Sequence, residues 1–198
     1  MAERTNQRDS MKSFRFETSL WLPRPRAEVF EFFADALNLE KITPSWLHFQ
    51  VITPEPIQIH QGAEIDYKLR IRGFPVRWRS RITAWDPPHR FVDEQVRGPY
   101  RVWIHEHRFI DEAGGTLCQD AVQYTPLGGS LIKKLFVERD VGEIFAYRSE
   151  RLKGFFHPAF REQAATGLRT KPVVGFSDLT PKLQELPDVV SERPPQKP

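Results

Sequence analysis

Hydrophobic and polar positions first alternate along this chain. In Ser13–Leu22, Phe14, Phe16, Thr18, Leu20 and Leu22 fall on one side and Arg15, Glu17 and Ser19 on the other. Period two predicts a half-buried strand. Pro23 and Pro25 stop it. From Arg26 to Leu39 the interval lengthens, with Val29, Phe30, Phe33 and Leu37 at helical spacing and Pro25 near a first-turn position that tolerates a missing N–H. Asn38 is placed to cap a second short helix that ends before Pro44.

After Trp46 the alternation returns. Phe49–Thr53 is short, whereas Glu64–Arg72 and Val76–Ala84 are long and flank Gly73-Phe74-Pro75, the expected turn. Ile65, Tyr67, Leu69 and Ile71 share one face of the first long strand, and Val76, Trp78, Ser80 and Ile82 one face of the second. Phe91–Val96, Arg101–Ile110 and Thr116–Tyr124 continue the series, separated by Asp86-Pro87-Pro88-His89, Gly98-Pro99 and Asp111–Gly115. From Ser130 to Phe156 the period becomes helical, with Val137, Val141, Ile144, Phe145, Leu152 and Phe155 in one stripe. Gly142 interrupts it and marks either a close backbone approach or a tolerated defect. The order strand, two short helices, about six antiparallel strands and a long helix defines an α+β class. A curved sheet of 6–7 strands would cover its apolar face with the last helix, leaving a cavity where the two part. That arrangement is the helix-grip fold.

Composition bounds the domain. All five Trp and all four Tyr fall between Ser13 and Phe156, whereas the last 42 residues hold seven of the 17 prolines and two aromatics. The division expected is a disordered tail over 1–12, a domain over 13–160 and a Pro-rich, flexible tail over 161–198. No run approaches a membrane span and the first residues carry no apolar leader, so a cytoplasmic domain is expected. The single cysteine, Cys118, excludes an internal disulfide and reads as a buried, inert thiol.

Charge adds one feature. Residues 13–156 carry 20 basic and 19 acidic side chains, yet Lys68, Arg70, Arg72, Arg77, Arg79 and Arg81 fall together without a carboxylate between them. Parity puts all six opposite Tyr67 and Trp78, on an outer face that Asp93 or Glu94 would partly neutralise. The stripe could meet an anionic membrane or an acidic protein. Nucleic acid is not expected, because the stacking aromatics lie on the other face.

Three stretches, LPRPRAEVFEFFADALNLEKITPSWL (22–47), RFVDEQVRGPYRVWIHEHRF (90–109) and GGTLCQDAVQYTPLGG (114–129), resemble the SRPBCC superfamily. This groups START-like, polyketide cyclase/dehydrase and coenzyme Q-binding domains, and the likeness is to a bacterial, ligand-binding branch. The resemblance implies a pocket under the C-terminal helix for a lipid, quinone, hormone or polyketide, with a minority of members acting as cyclases.

The candidate chemistry centres on Trp103–Phe109. Trp103, His105, His107 and Phe109 share a face, and their bulk predicts that it points inward. Asp93 and Gln95 on one neighbouring strand, and Asp120 and Tyr124 on the other, have the parity to join them. With Tyr67, Trp78 and Phe145 as walls, these residues form the expected ligand-binding set. His-x-His with Asp93 or Asp120 would also suit a metal, but no third ligand stands at a defined spacing. Neither a metal nor a cofactor is therefore expected. The main reading is a binder of a small hydrophobic or amphipathic molecule. The rivals are a cyclase or dehydratase using His105 or His107 as acid/base, and an interaction module acting through the basic hairpin 68–81.

Overall fold

The computed structural model describes residues 13–126 and 137–157, and the backbone of 182–185. Strand β1 (Phe14–Leu22) is followed by α1 (Arg26–Phe33), α2 (Asn38–Lys41), a 3-10 turn at Ser45–Leu47 and the short β2 (Gln50–Val51). Five long strands come next: β3 (Glu64–Ile71), β4 (Phe74–Asp86), β5 (Arg90–Arg97), β6 (Tyr100–Glu112) and β7 (Gly115–Pro126). Helix α3 (Glu138–Phe156) and strand β8 (Lys182–Glu185) complete the described elements. The sheet runs β2-β3-β4-β5-β6-β7-β1-β8, and every neighbouring pair is antiparallel. The start of the helix expected from Ser130 and the tail over 1–12 lie outside the described residues, as does all but β8 of the tail over 161–198. None of the described helices is long and apolar enough to cross a membrane.

The strands follow the alternation. Phe14, Phe16, Leu20 and Leu22 are buried on β1, and Tyr67 lies opposite Trp78 across the β3–β4 ladder. Three local expectations are corrected. The β3–β4 turn is Arg72-Gly73, with φ of 51° and 85°, because Ile71 already pairs with Phe74. Two consecutive positive-φ residues give the twist that a two-residue hairpin needs. The helix expected from Arg26 to Leu39 stops at Phe33, where Asp35 Oδ1 accepts a hydrogen bond from the Leu37 N–H at 2.9 Å. Asn38 does not cap α2; its Nδ2 donates to the Phe32 carbonyl at 2.8 Å and closes the end of α1.

Helix α3 lies across the concave face with Val141, Phe145, Ser149, Leu152 and Phe156 buried. Its C-terminal half joins α1, where Phe32 meets Phe155 and Phe156 at ring separations of 5.4 Å. Its N-terminal half packs on β1 and β7, with Phe145 4.9 Å from Phe16. Two hydrophobic clusters result, one built on α1, β3–β6, Leu20 and Leu22 of β1, Cys118 of β7 and the end of α3, the other on Phe14 and Phe16 of β1, Val122 and Tyr124 of β7 and the start of α3. Between them His105 meets Phe145 at 5.5 Å, and beside that contact sheet and helix part around a cavity. No close approach explains Gly142, since a Cβ there would touch nothing within 4 Å among the described residues.

Candidate functional site

The space between helix and sheet is a cavity of about 820 Å³, within the range of small-molecule sites. Its apolar wall includes Phe33, Tyr67, Leu69, Trp78, Trp103 and Phe145. Trp78 and Trp103 meet edge to face at 5.4 Å, and Tyr100 packs against both. The lining reaches solvent at Trp46, 54% exposed, and at the exposed Arg72 of the β3–β4 turn. Arg72 forms a two-pronged ion pair with Asp140 on α3, at 3.0 and 2.8 Å, tying the turn to the helix.

The polar part of the site comes from β5, β6 and β7. His105 and His107 point inward, as their shared face with Trp103 and Phe109 predicts, and are buried (5% and 7% exposed). Antiparallel pairing sets Asp93 opposite His105 and Asp120 opposite His107, so the two rings stand between two carboxylates. Their centroids are 3.7 Å apart, and Phe91 stacks on His107 at 4.2 Å. His107 directs both nitrogens at carboxylates, Nδ1 to Asp120 at 2.8 Å and Nε2 to Asp93 at 3.3 Å. His105 has one close partner, Asp120 at 2.9 Å from Nε2, while its Nδ1 is 3.6 Å from Asp93. The network extends outward, since Ser80 Oγ donates to Asp93 at 3.2 Å and Trp78 Nε1 donates to Ser80 at 3.0 Å.

This geometry assigns the protons. A ring with two carboxylate acceptors is best served as an imidazolium, and one with a single acceptor as the neutral Nε2–H tautomer. Burial opposes charge on His107, but the hydrogen bonds to Asp120 and Asp93 outweigh it and hold its pKa above the usual histidine value. Burial lowers the pKa of His105, and the neighbouring His107 charge lowers it further. Burial also works against the charge on both aspartates, yet the imidazoles keep Asp93 and Asp120 below the usual carboxylate range. Between the two histidine pKa values the cluster holds two carboxylates and one imidazolium, a net charge of −1. Asp93, His105 and His107 each offer a ligand atom, all within 4.8 Å of one another. An N₂O set of this kind suits a divalent ion only after His107 gives up its proton.

Of the expected ligand-binding residues, Tyr67, Trp78, Asp93, Trp103, His105, His107 and Phe145 line the cavity. Three do not. Asp120 lies behind the imidazoles and acts on them. Gln95 is used by the backbone: its Nε2 donates to the Tyr100 carbonyl at 2.7 Å and its Oε1 accepts from the Tyr100 N–H at 3.2 Å. It bridges β5 and β6 where their ladder has already opened beyond Glu94 and Ile104. Tyr124 is fully buried against Phe14, Tyr100 and Trp103. Its parity is inward, but it fills the second cluster.

The basic stripe is also revised. Arg79 pairs with Asp66 at 2.7 Å and with Glu64 at 3.2 Å, and Glu64 also takes Arg81. The neutralising acids therefore come from β3 itself, while Asp93 is turned inward. Arg72 leaves the stripe for Asp140. Lys68, Arg70 and Arg77 stay exposed, with no ion pair among the described residues.

Sequence reading missed Arg148, which lines the cavity from α3. The signal was present. Val141, Phe145, Arg148 and Leu152 fall at intervals of four, three and four, so a cation stands on the apolar stripe.

A curved antiparallel sheet gripping a helix over a cavity places this chain in the helix-grip class. Residues 22–146 match the family of polyketide cyclase / dehydrase and lipid transport proteins, and the chain belongs to that family. Among solved structures it is similar to the di-domain ARO/CYC StfQ from the steffimycin biosynthetic pathway (TM-score 0.60, 14% identity, 78% of this chain and 52% of that one). It is also similar to ginseng major latex-like protein 151 from Panax ginseng (TM-score 0.57, 12% identity, 74% of this chain and 99% of that one). A third is protein Ms6760 from Mycobacterium smegmatis (TM-score 0.54, 18% identity, 80% of this chain and 94% of that one). At these identities the likeness is one of fold. No curated protein matches the sequence.

Proposed function

We propose that the protein binds a small hydrophobic or amphipathic molecule, of lipid, quinone or polyketide type, between the sheet and α3. The observation that carries this reading is the cavity itself: about 820 Å³ walled by aromatic side chains, with a buried His/Asp cluster at one point of its lining. Burial of the apolar part supplies affinity at roughly 25 cal/mol per Å². The few polar groups fix orientation. His105 Nδ1, which has no close partner and accepts in the neutral Nε2–H tautomer, is the polar atom best placed to take a hydrogen bond from a ligand hydroxyl. A second reading, favoured by two imidazoles of unequal basicity lining one cavity, is acid/base catalysis of a cyclisation or dehydration. Fold likeness to a protein titled ARO/CYC fits that reading but does not decide it.

One experiment separates them. The full chain is incubated with fatty acids, quinones and aromatic polyketides, then examined by native mass spectrometry before and after denaturation. A bound species recovered unchanged in mass and in chromatographic retention supports binding, whereas one of equal mass and altered retention, absent with His107→Gln, supports cyclisation. A species recovered lighter by one water, and not from a His107→Gln variant, supports catalysis. No bound species from any class would overturn both readings.

A further inference from the structure

The Arg148 guanidinium lies over the Phe145 ring, 5.0 Å from Cζ to the ring centroid, and contributes to the cavity lining. Its Nε is buried and has no hydrogen-bond partner among the described residues. No carboxylate there comes within ion-pair distance of it, whereas Arg72, Arg79, Arg81 and Arg90 all have one. Asp93, Asp120 and Tyr67 act on it only through their fields, and burial presses against its charge. Both aspartates are already committed to the imidazoles.

A guanidinium keeps its proton under all ordinary conditions, so it cannot escape burial by becoming neutral. Holding such a group with a buried donor left unpaired is unfavourable. The negative histidine–aspartate cluster balances its charge across the cavity but leaves Nε without an acceptor among the described residues. A planar fork of N–H donors beside an aromatic wall fits one chemical group best, a carboxylate on an apolar body.

We propose that Arg148 anchors the acidic head of the ligand, so that the cavity selects amphipathic carboxylic acids over uncharged molecules of the same shape. The apolar tail lies along Tyr67, Trp78 and Trp103. This rests on the ligand-binding reading above and adds the chemical class of the head group.

The test uses N-phenyl-1-naphthylamine, an uncharged dye that fluoresces in apolar sites, displaced at pH 7.5 by dodecanoate or by dodecan-1-ol. In the wild-type protein the acid is expected to displace the dye at about 10-fold or more lower concentration, the ratio one charge-assisted contact gives. In Arg148→Met the two competitors are expected to converge through weaker acid binding, with the alcohol changed by no more than about twofold. Arg148→Lys, which keeps the charge but loses the fork, should fall between. Equal displacement in the wild type, or an acid preference that survives in Arg148→Met, overturns the acidic-head assignment while the cavity reading stands. Failure of the wild type to bind the dye or either competitor overturns the cavity reading instead. If Arg148→Met does not fold, the wild-type comparison alone decides.

Discussion

His105 and His107 sit two residues apart on the same strand and the same face, yet their basicities are pushed in opposite directions, with Asp93 closer to His107 than to His105. The consequence for stability can be signed. In the unfolded chain both histidines titrate near pH 6.5. His107, raised on folding, adds stability that is full below about pH 6.5 and is lost as pH climbs through its folded value. His105, lowered on folding, acts in the opposite sense, and stability falls as pH drops below about 6.5 toward its folded value. Asp93 and Asp120, both held low, contribute above about pH 4 and lose that contribution on further acidification. Urea midpoints measured from pH 3 to 9 should therefore show a broad maximum near neutrality and fall at both ends. At pH 7, imidazole nitrogen shifts should show one charged and one neutral ring. Two rings titrating together at the ordinary value would contradict the assignment. Cys118 shows the same logic in a simpler form, its thiol pushed up to about 12 by burial.

At the scale of elements, two glycines make opposite predictions. Gly142 lies in the middle of α3 with open space where a Cβ would go, so Gly142→Ala should stabilise by ~0.5–1 kcal/mol. At Gly115, the first residue of β7, a Cβ would stand 2.4 Å from the Leu22 carbonyl oxygen and 2.7 Å from the Trp21 ring. Gly115→Ala should destabilise by about 1–3 kcal/mol. Denaturant midpoints at constant slope check both, and a loss at Gly142 or a gain at Gly115 would contradict the packing. The strands themselves were legible because alternation is a property of each segment alone: Phe14–Leu22 reveals its inner face without knowledge of a partner, whereas both faces of Trp103–Phe109 are mixed and only the bulk of Trp103 and Phe109 pointed to the inner one. Parity also placed Asp93, His105 and His107 together. It could not show that the β5–β6 ladder opens beyond Glu94, which turns Gln95 from ligand to hairpin support. Nor could it show that Tyr124 falls under the closed end of α3. Arg148 was visible as a charge on an apolar stripe, but its meaning depends on a cavity that exists only when helix and sheet meet.

Across the whole molecule, the cavity divides what would otherwise be one core into two clusters joined by the sheet. An occupant that binds only the folded state stabilises the fold by mass action, about 2.7 kcal/mol at a free concentration 100 times its Kd. Cys118 offers a direct reading of this. It is the chain's single cysteine and is buried mid-strand on β7, opposite Phe109 on one side and Leu20 on the other. Its side chain lies in the cluster covered by α1 and the end of α3, so a thiol reagent reaches it when those helices lift from the sheet, which also opens the cavity. Its labelling rate therefore tracks that opening equilibrium, provided reclosing outpaces the reagent. With the dye at 100 times its Kd, labelling should slow about 100-fold, the factor that the same mass action imposes on the open population. Arg148→Met should show equal protection with the uncharged dye and weaker protection with dodecanoate, because the charge acts on the acid head alone. If the dye binds but leaves the Cys118 rate unchanged, the occupied site is not the space between α3 and the sheet.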